Sequence, residues 1–401
     1  MALDDVLVVG AGPAGSHIAG DLARRGYRVK VLEEHDAPGE AVCCTGIVGS
    51  ECFRRLSKTG VKVLREARSA VFYSPTGKSI RLEKETPQAY VLDRLSLDQS
   101  LAREAEGHGA EYVFGCHVED ISTVDGHVQV RSLYEGKSSV LKARSLVAAC
   151  GFNPGWISRL GLGPVDDFAV AAQTEVETTV SEVEIRFSRG LAPGFFSWLV
   201  PTADGMGLAG LITRERPGHY LRKFLSQLAL EGKVSSFSVG IKYGKVPLRP
   251  PRRSYGKGIL VVGDAAGQVK PTTGGGIYYG LLCGDIASEV LDGALRCGDL
   301  SERRLSEYDR RWRQVLGREL KTGYLSRLLF ERLSDRDIDN LFDVVKAHSL
   351  DAMALSMTGF SFDWHGDILR RALKHRGVRQ VMGSLLMSVL SRQGHALRST
   401  G

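Results

Sequence analysis

Residues 6–33 read VLVVGAGPAGSHIAGDLARRGYRVKVLE and contain five glycines between two apolar runs. The apolar start of this stretch predicts a buried strand, and YRVKVLE near its end predicts a second strand. Between them, apolar residues such as Ile18 and Leu22 recur with helical spacing, and Gly26 follows as a helix end. This order of elements, with a glycine-rich turn after the first strand, is typical of the βαβ unit that binds dinucleotides.

Each glycine of this turn has its own task. Gly10 permits a tight turn, Gly12 lets backbone N–H groups reach a pyrophosphate, and Gly15 allows the helix to pack closely on the strand. Ala14 belongs to the same motif at the start of the helix. Glu33 ends the second strand, where a carboxylate accepts hydrogen bonds from ribose hydroxyls. The motif predicts a dinucleotide site, and its place near the first residue favours FAD.

A second glycine-rich stretch, YGKGILVVGDAAGQVKPTTGGGIYYGLLCGDIASEVL, covers residues 255–291. Residues 258–262 predict a buried strand, and Gly263 and Asp264 follow at its carboxyl end, where ligands bind in α/β sheets. From Gly276 a helix is predicted, and its expected buried face consists of Ile277, Leu281, Leu282, Ile286, Ala287 and Val290. Glycines before a helix N-terminus leave N–H donors and a positive dipole end open to a flat, electron-rich group such as a flavin ring.

Composition excludes several classes of protein. The chain has 401 residues, 43% hydrophobic and 25% charged, which is ordinary for a globular protein of two domains. The net charge of +7 is spread out, and without a basic tail we expect no nucleic-acid binding. Seven cysteines without a CxxC pair predict neither a disulfide framework nor a metal site. The absence of a signal peptide and of a long apolar run predicts a cytoplasmic protein, with contact at a membrane surface left open.

These motifs, together with VCCTGIV, VLDRLSLDQSLA, FFSWLVPTADG and YDRRWRQVLGRELKTGY, resemble the geranylgeranyl reductase family. That family belongs to the flavoproteins of the p-hydroxybenzoate hydroxylase type, and the resemblance covers nearly the full length. It implies an α/β (α+β) fold with a Rossmann-type FAD-binding domain, an inserted antiparallel-sheet substrate domain and a C-terminal helical region. We expect these at residues 1–65, 93–165 and 246–300, at 66–92 and 166–245, and at 301–401, respectively.

The resemblance also assigns cofactor contacts. Asp264 is expected at the flavin ribityl chain, and Arg94, in LDR, at the FAD phosphate and ribityl region. An ordinary salt bridge at the start of a helix is the alternative for Arg94. The flavin ring is expected along Gly274, Gly275, Gly276 and Ile277.

Catalytic and substrate residues follow from the same comparison. In the family, a cysteine in a C-[ST]-G stretch lies close to the flavin and the substrate double bond, and Cys44 stands there. Cys44, Tyr278, Tyr279 or an ordered water is the candidate proton donor. The aromatic stretch with Phe196, Trp198 and Pro201 is expected along the isoprenoid chain, although these residues also suit an ordinary core.

One departure concerns the electron donor. Many relatives have Asp-Gly where this chain has Cys150-Gly151. In hydroxylases that aspartate organises the flavin and pyridine-nucleotide region, so its absence weakens the case for direct reduction by NADPH. A reduced ferredoxin is the alternative donor, and the basic chain suits an acidic partner.

Helices dominate the C-terminal third. Tyr308, Trp312, Leu316, Leu320 and Tyr324 form one apolar stripe that we expect to face the core. His365, within the sequence FDWHGDI, is expected to be structural. The segment around residues 378–394 is expected to pack on the body, with a membrane surface as the alternative.

The sequence therefore predicts an FAD-dependent reductase that saturates C=C bonds of geranylgeranyl chains by hydride from flavin N5 plus a proton. The chain is expected on an archaeal-type ether phospholipid, or on a diphosphate or quinone. An FAD-dependent aromatic monooxygenase and a non-catalytic electron-transfer flavoprotein are the alternatives. A halogenase fits poorly, because Phe196 stands where a halogenase typically has the first Trp of its Trp-x-Trp-x-Ile-Pro motif.

Overall fold

The structure is a computed structural model that describes residues 3–40, 42–163, 167–237, 240–356 and 361–381. The chain forms two compact units. The first unit consists of Met1–Leu64, Tyr90–Ala169 and Gly244–Leu320, and the second of Arg65–Ala89, Val170–Tyr243 and Lys321–Gly401. None of the helices in the described ranges combines the length and apolar character that a membrane-spanning helix requires.

The strands are, in chain order, β1 (Asp4–Val9), β2 (Val29–Leu32), β3 (Ile47–Gly49), β4 (Val63–Ala67), β5 (Ser69–Tyr73), β6 (Ser79–Glu83), β7 (Ala89–Leu92), β8 (Glu111–Val113), β9 (Cys116–Val124), β10 (His127–Tyr134), β11 (Lys137–Ala148), β12 (Phe168–Thr178), β13 (Val183–Arg186), β14 (Ser197–Pro201), β15 (Met206–Thr213), β16 (Val234–Phe237), β17 (Lys242–Pro247), β18 (Tyr255–Gly256) and β19 (Ile259–Val261). The α-helices are α1 (Pro13–Arg24), α2 (Ser50–Leu56), α3 (Arg94–Gly107), α4 (Pro154–Arg159), α5 (Pro217–Leu230), α6 (Ile277–Cys297), α7 (Glu302–Phe330), α8 (Asp335–Ala347), α9 (Leu350–Ser356) and α10 (Gly366–Lys374).

A largely parallel sheet in the order β18-β19-β11-β1-β2-β8 forms the centre of the first unit. β1 pairs in parallel with β2 and with β11, and β11 pairs in parallel with β19. α1 packs against α3 and α6. The predicted βαβ unit is confirmed, since β1, α1 and β2 follow one another along the chain as the periodicity indicated.

A β-hairpin extends this sheet, which the sequence analysis did not predict. β9 and β10 are antiparallel, and β10 continues the ladder along the first half of β11, from Lys137 to Ala143. Only the second half of β11 remains for β19, with Leu146 opposite Ile259. Side chains of the hairpin, including Val118, Val128 and Val130, join the core under the sheet.

The second unit contains a sheet in the order β16-β12-β15-β14-β13-β5-β6. Its neighbours β12 and β15, β14 and β15, and β13 and β14 are antiparallel, as expected. The prediction of an antiparallel sheet is wrong at one place, where β13 pairs in parallel with β5. The two strands come from distant segments of the chain, so no hairpin turn fixes their relative direction.

Ion pairs support the second unit. Arg186 is 7% exposed and contacts both Glu184, at 3.1 Å, and Glu231, at 2.6 Å. Lys233 lies 2.5 Å from the carboxylate of Glu184. Burial opposes the charge of Arg186, but its two carboxylate partners outweigh that effect and raise its pKa. The buried Arg186 and the half-buried Lys233 therefore both have anionic partners.

The long helix α7 confirms most of the predicted apolar stripe. Tyr308, Trp312, Leu316 and Leu320 are at most 3% exposed, whereas Tyr324 is only half-buried. His365 lies directly before α10, and its ring nitrogen Nε2 is 3.0 Å from the carbonyl of Phe362. From residue 382 onward, the predicted C-terminal amphipathic segment lies outside the described residues.

The buried face of α6 differs from its prediction. Leu281, Ala287 and Val290 are buried as expected, but Ile277, Leu282 and Ile286 are only half-buried. Tyr278, Tyr279, Gly280, Cys283 and Gly284 take part in the buried face instead. Gly284 lies on the observed buried face and lets α6 approach α1 closely. A Cβ at this position would lie only 3.2 Å from Ile18 of α1. Hydrophobicity alone did not reveal a face made partly of small residues.

Candidate functional site

Three parallel strands of the first unit end at one edge of its sheet. β1 ends at Val9, β2 at Leu32 and β19 at Val261. The glycine-rich turn, Glu33 and the Gly263–Asp264 turn follow these strand ends directly. Because ligands of α/β sheets bind at the carboxyl ends of the strands, this edge is the candidate site.

The first glycine-rich turn is closed tightly on one side and open on the other. Gly10 has φ +101°, and a Cβ there would overlap the carbonyl oxygen of Ala149. A Cβ on Gly15 would overlap the carbonyl oxygen of Gly10. A Cβ on Gly12 would meet no atom within 4 Å. Gly10 and Gly15 are therefore required by packing, while the open space at Gly12 suits a group that approaches the backbone.

Glu33 is fixed against this turn. Its Oε2 atom accepts a 2.8 Å hydrogen bond from the backbone N–H of Ala11, and its Oε1 atom accepts one from the N–H of His35 at 3.1 Å. The ring Nδ1 of His35 is also 2.6 Å from Oε1, and this contact raises the pKa of His35. Oε2 accepts only one of these hydrogen bonds and has a further lone pair, so Glu33 can still accept a hydrogen bond from a ribose hydroxyl.

A 3₁₀ turn, Gly263–Ala266, carries Asp264. The turn is held from behind by Gln268, whose Oε1 accepts a 2.7 Å hydrogen bond from the N–H of Gly263. The amide of Gln268 donates to the hydroxyl of Tyr308 at 2.8 Å, and that hydroxyl donates to the carbonyl of Val261 at 3.1 Å. Gln268 and Tyr308 are both fully buried, so the position of Asp264 is set by the interior.

Sequence reasoning missed this buried pair. Tyr308 was assigned only to an apolar stripe, and Gln268 was not singled out. The available signal was a lone glutamine in an otherwise small and apolar stretch, since a buried amide must find hydrogen-bonding partners.

The loop between this turn and α6 is closed by its own backbone. The N–H of Lys270 donates to the carbonyl of Gly275 at 3.1 Å, and the N–H of Gly274 donates back to the carbonyl of Lys270 at 2.9 Å. Gly274 has φ +77°, which favours glycine. A Cβ on Gly276 would overlap Oδ1 of Asp264. The glycines thus let the loop close against Asp264 just before Ile277 begins α6.

Burial changes the acidity of Asp264. It raises the pKa of the carboxyl to about 6, although the nearby Arg94 guanidinium acts to lower it. A cofactor hydroxyl that donates to the carboxylate would favour the ionised form.

Arg94 forms the salt bridge that was the alternative to its predicted cofactor contact. It is the first residue of α3, and its Nη2 lies 2.9 Å from Oδ2 of Asp98, whose side chain is 2% exposed. The alternative prediction of a salt bridge at a helix start is therefore confirmed. Burial acts against the charge of Arg94, but Cys44 and Asp98 favour it and raise its pKa. Arg94 is thus a permanent cation next to Cys44 and within electrostatic reach of Asp264.

A tight turn positions Cys44. The N–H of Gly46 lies 3.3 Å from Sγ of Cys44, and the carbonyl of Gly46 accepts a 3.0 Å hydrogen bond from the N–H of Leu92 in β7. Gly46 has φ +67°, and a Cβ there would overlap the carbonyl of Leu92. Within the described chain, which includes all seven cysteines, Cys43 and Cys44 are both thiols and are not bridged.

Tyr278 stands in the first turn of α6 and is 9% exposed. Its hydroxyl donates a 2.9 Å hydrogen bond to Oε2 of Glu51 in α2. The Tyr278 hydroxyl therefore has a carboxylate acceptor in α2. Tyr279 is fully buried, and the Lys270 ammonium lies 5.7 Å from the centre of its ring.

Cys150 brings no charge to the edge of the sheet. Burial raises the pKa of its thiol to about 11, so it stays protonated at neutral pH. An ionised aspartate in this position would carry a negative charge. The electrostatic field at this strand end therefore differs from that of a site with Asp-Gly.

The three predicted substrate residues lie in or next to β14 of the second unit. Trp198 and Pro201 are buried in the strand, and the rings of Phe196 and Trp198 are 5.9 Å apart. Trp198 pairs across the sheet with Gly210, where a Cβ would overlap the indole. The rings of Phe196 and Trp198 are thus neighbours, and the Trp198 ring packs against Gly210 of the next strand.

The first unit fits the group that its sequence implies. Gly12 leaves room at the backbone, Glu33 faces the same turn, and Asp264 stands at the end of the neighbouring strand β19. A flavin dinucleotide would be held by these residues together with Arg94 and the loop before α6. The fold and this site define a flavoprotein with a Rossmann-type FAD-binding domain.

Comparison with known proteins agrees with this class. The family model described as "FAD binding domain" matches residues 4–222. The digeranylgeranylglycerophospholipid reductase of Methanocaldococcus jannaschii is 30% identical over 367 residues, which cover 88% of this chain and 92% of that protein. The chain therefore belongs to the digeranylgeranylglycerophospholipid reductase family.

Solved structures share the fold. A geranylgeranyl bacteriochlorophyll reductase-like protein from Thermoplasma acidophilum is similar with a TM-score of 0.83 at 23% identity, over 96% of this chain and all of that one. A p-nitrophenol 4-monooxygenase from Pseudomonas putida DLL-E4 is similar with a TM-score of 0.65 at 18% identity, over 88% of this chain and 97% of that one. The predicted fold class is confirmed, and the overlap is better with the reductase-like protein than with this monooxygenase.

Proposed function

We propose that the protein is an FAD-dependent reductase that saturates C=C bonds in the geranylgeranyl chains of archaeal-type ether phospholipids. The observation that carries the proposal is the 30% identity to a digeranylgeranylglycerophospholipid reductase along nearly the full length of both chains. Geranylgeranyl diphosphate and a geranylgeranylated quinone contain the same alkene and are further substrates to test.

The chemistry of the alkene defines what the site must do. An isolated trisubstituted alkene is a poor hydride acceptor, because no carbonyl withdraws charge from it. Bound FAD in its reduced form supplies the hydride, so the protein must supply a proton and exclude water. Positive charge on the tertiary carbon is tolerated only where solvent cannot trap it.

Two side chains of the first unit are proposed as the source of that proton. Cys44 is held by the Gly46 turn, and the Arg94 cation beside it stabilises the thiolate that remains after proton transfer. Tyr278, the other candidate, donates its hydroxyl hydrogen bond to the carboxylate of Glu51. Of the two, we propose Cys44 as the donor, because its anionic form has a neighbouring cation.

The second unit is proposed to hold the isoprenoid. Phe196, Trp198 and Pro201 form an apolar, aromatic stretch of β14 that suits a branched hydrocarbon. A substrate anchored in lipid brings the enzyme to a membrane surface, so we propose a cytoplasmic protein with peripheral membrane contact.

Either NADPH or a reduced ferredoxin serves as the electron donor in this proposal. The neutral thiol of Cys150, in place of an aspartate, favours a protein donor over a pyridine nucleotide. A net charge of +7 attracts an acidic carrier protein.

An anaerobic experiment tests the function. The purified protein is loaded with FAD, reduced with dithionite and mixed with a geranylgeranylated ether phospholipid. Flavin reoxidation, together with a mass gain of two hydrogens per reduced bond, is the expected result. A reduced flavin that ignores the lipid but reacts rapidly with oxygen and an aromatic acid would instead identify a monooxygenase.

A further inference from the structure

A buried lysine lies in the loop before α6. Lys270 is 5% exposed, although the loss of hydration makes buried lysines uncommon. Its backbone N–H donates to the carbonyl of Gly275 at 3.1 Å, and its carbonyl accepts from the N–H of Gly274 at 2.9 Å. Lys270 is therefore tied to the segment along which the flavin ring is expected, yet it has no role in the function proposed above.

The side chain of Lys270 runs beside Gly275. A Cβ at Gly275 would lie 3.7 Å from Cδ and 3.9 Å from Cε of Lys270, so the stem passes next to this glycine. The ammonium beyond Cε lies 5.7 Å from the centre of the Tyr279 ring, and Tyr279 is fully buried in the first turn of α6. The face of the ring stabilises the charge of the ammonium. The cation is thus held where the loop meets the helix.

The N-terminus of α6 adds to this positive charge. α6 is 21 residues long and begins at Ile277, so its first N–H groups and its dipole present a positive end close to the ammonium of Lys270. A cation next to a helix N-terminus is unfavourable by itself, because the two repel each other. A negatively charged group beside Gly275 reduces this repulsion. The arrangement therefore favours an anionic group over a neutral group of the same shape.

Asp264 brings the opposite charge to the neighbouring glycine. A Cβ on Gly276 would overlap its Oδ1 atom. A ligand that lies along the loop thus meets a carboxylate at Gly276 and a cation beside Gly275. The ribityl chain, expected at Asp264, leaves the flavin between its benzenoid ring and its pyrimidine ring, and the pyrimidine ring takes up the negative charge on reduction. The cation beside Gly275 therefore suits the pyrimidine ring.

We propose that Lys270 stabilises the negative charge of reduced FAD and thereby raises the reduction potential of the bound cofactor. The inference rests on the proposed position of the flavin along Gly274, Gly275, Gly276 and Ile277, and not on the identity of the lipid. Two electrons from the electron donor and one proton convert the neutral oxidised flavin ring into an anion. The Lys270 ammonium favours this anion over the oxidised form by direct electrostatic attraction.

A cation in this place suits the proposed reaction. Saturation of an alkene is strongly downhill, so the enzyme can give up part of the reducing power of its flavin. A raised potential makes the cofactor easier for the electron donor to reduce and keeps it reduced until the lipid arrives. Lys270 thus acts on the reduction of the flavin, whereas the proton for the alkene comes from elsewhere.

The reduction potential of bound FAD tests this role. Native protein and variants, each purified with FAD, are titrated anaerobically against a dye of known potential. Lys270→Met keeps the apolar stem without the charge. It should favour reduced over oxidised flavin about tenfold to a hundredfold less than the native protein does, which corresponds to a potential lower by about 30–60 mV. Lys270→Arg keeps the charge and should lie closer to the native value. Lys257→Met removes an exposed lysine of the same unit and should leave the potential unchanged.

Affinity for FAD separates the effect of charge from that of packing. The shift in potential equals the change in the ratio of the two Kd values, one for oxidised and one for reduced FAD. Lys270→Met should therefore bind reduced FAD about tenfold to a hundredfold more weakly, with little change in the Kd of oxidised FAD. Lys270→Gln, which keeps a polar end without the charge, provides the same comparison if Lys270→Met retains no cofactor.

The outcomes separate this inference from the proposed function. An unchanged potential in the neutral variants would overturn the inference, and lipid reduction by the native protein would be unaffected by that result. Equal weakening of oxidised and reduced FAD binding would also overturn it, because Lys270 would then only support the loop. If the potential falls in Lys270→Met but the reduced native protein leaves geranylgeranylated lipids unchanged, the inference stands and the proposed function fails.

Discussion

Gln268 fixes Gly263 through a 2.7 Å hydrogen bond between its side-chain oxygen and the backbone N–H of the glycine, in an environment closed to solvent. The residue after Gly263 is Asp264, the predicted contact of the flavin ribityl chain. The fold therefore positions one predicted cofactor contact through an amide that does not need to touch the cofactor.

Replacing Gln268 with leucine should weaken FAD binding by about tenfold or more, because the Asp264 turn loses its support. The variant should also lose about 1–3 kcal/mol of unfolding free energy, since the N–H of Gly263 is left buried without an acceptor. Fluorescence titration of FAD and urea unfolding measure the two effects. Tyr308→Phe keeps the Gln268–Gly263 bond and should cost less FAD affinity. Equal losses of affinity in both variants would contradict this role of Gln268.

Two neighbouring glycines should respond differently to alanine. Gly276→Ala should impair both folding stability and FAD binding, because its Cβ would overlap Asp264. At Gly275 the nearest atoms to a Cβ lie at 3.6 and 3.7 Å, an ordinary contact distance. Gly275→Ala should therefore fold normally yet lose FAD affinity, if the flavin ring approaches this backbone as proposed.

Gly317→Ala in α7 is the matched control, since its Cβ would lie 3.7 Å from Arg313. It should stabilise the protein by about 0.5–1 kcal/mol and leave FAD binding unchanged. The unfolding temperature and the bound FAD per chain distinguish the three variants. Native FAD content in Gly275→Ala would show that the loop does not approach the cofactor closely.

Stability of the FAD-free protein should depend on pH through Asp264. Burial raises the pKa of this carboxyl from its ordinary value of 3.8 to about 6 in the folded chain, so the folded state binds the proton more tightly than the unfolded state. The stabilisation of the folded state by the proton on Asp264 is fully present below about pH 4 and is lost as pH rises through about 6. The Asp264→Asn variant has no ionisable group at this position, so it does not undergo this loss of stability. The unfolding free energy of Asp264→Asn relative to the native protein should increase by up to about 3 kcal/mol between pH 4 and pH 7.5 in urea titrations. A difference that is the same at both pH values would exclude ionisation of Asp264 as the cause.

Cys44→Ala should lower the rate of alkene reduction by at least about tenfold, since a general acid in the transition state typically contributes more than that. FAD content should stay native, because the substitution removes only the sulfur atom and leaves the other proposed cofactor contacts in place. Mass spectrometry of the lipid under single-turnover conditions measures the rate. Cys43→Ala is the control with a similar volume change. Unchanged turnover in Cys44→Ala would remove this residue from the mechanism and leave Tyr278 as the candidate.

The sequence predicted those parts of the fold that depend on residues close together in the chain. The βαβ unit was found because glycine spacing and helical periodicity lie within one short segment, and the start of α6 was found because three glycines precede an apolar run. The parallel pairing of β5 with β13 depends on segments more than a hundred residues apart, for which no turn sequence exists. The same limit applies to Gln268 with Tyr308. Each of these pairs is defined only when distant elements pack together.

The pairing of β11 with β19 also determines when this part of the sheet can form during synthesis of the chain. β11 is complete once residue 148 has been made, but its partner begins only at Ile259. During the synthesis of more than a hundred intervening residues, the outer edge of Leu146–Ala148 has no strand beside it, and such an edge invites association with other chains. The nascent protein thus carries its nucleotide motif early but cannot assemble the edge that carries Asp264 until more than half of it has been translated. The cofactor site can therefore form only after both of its glycine-rich segments have been synthesised.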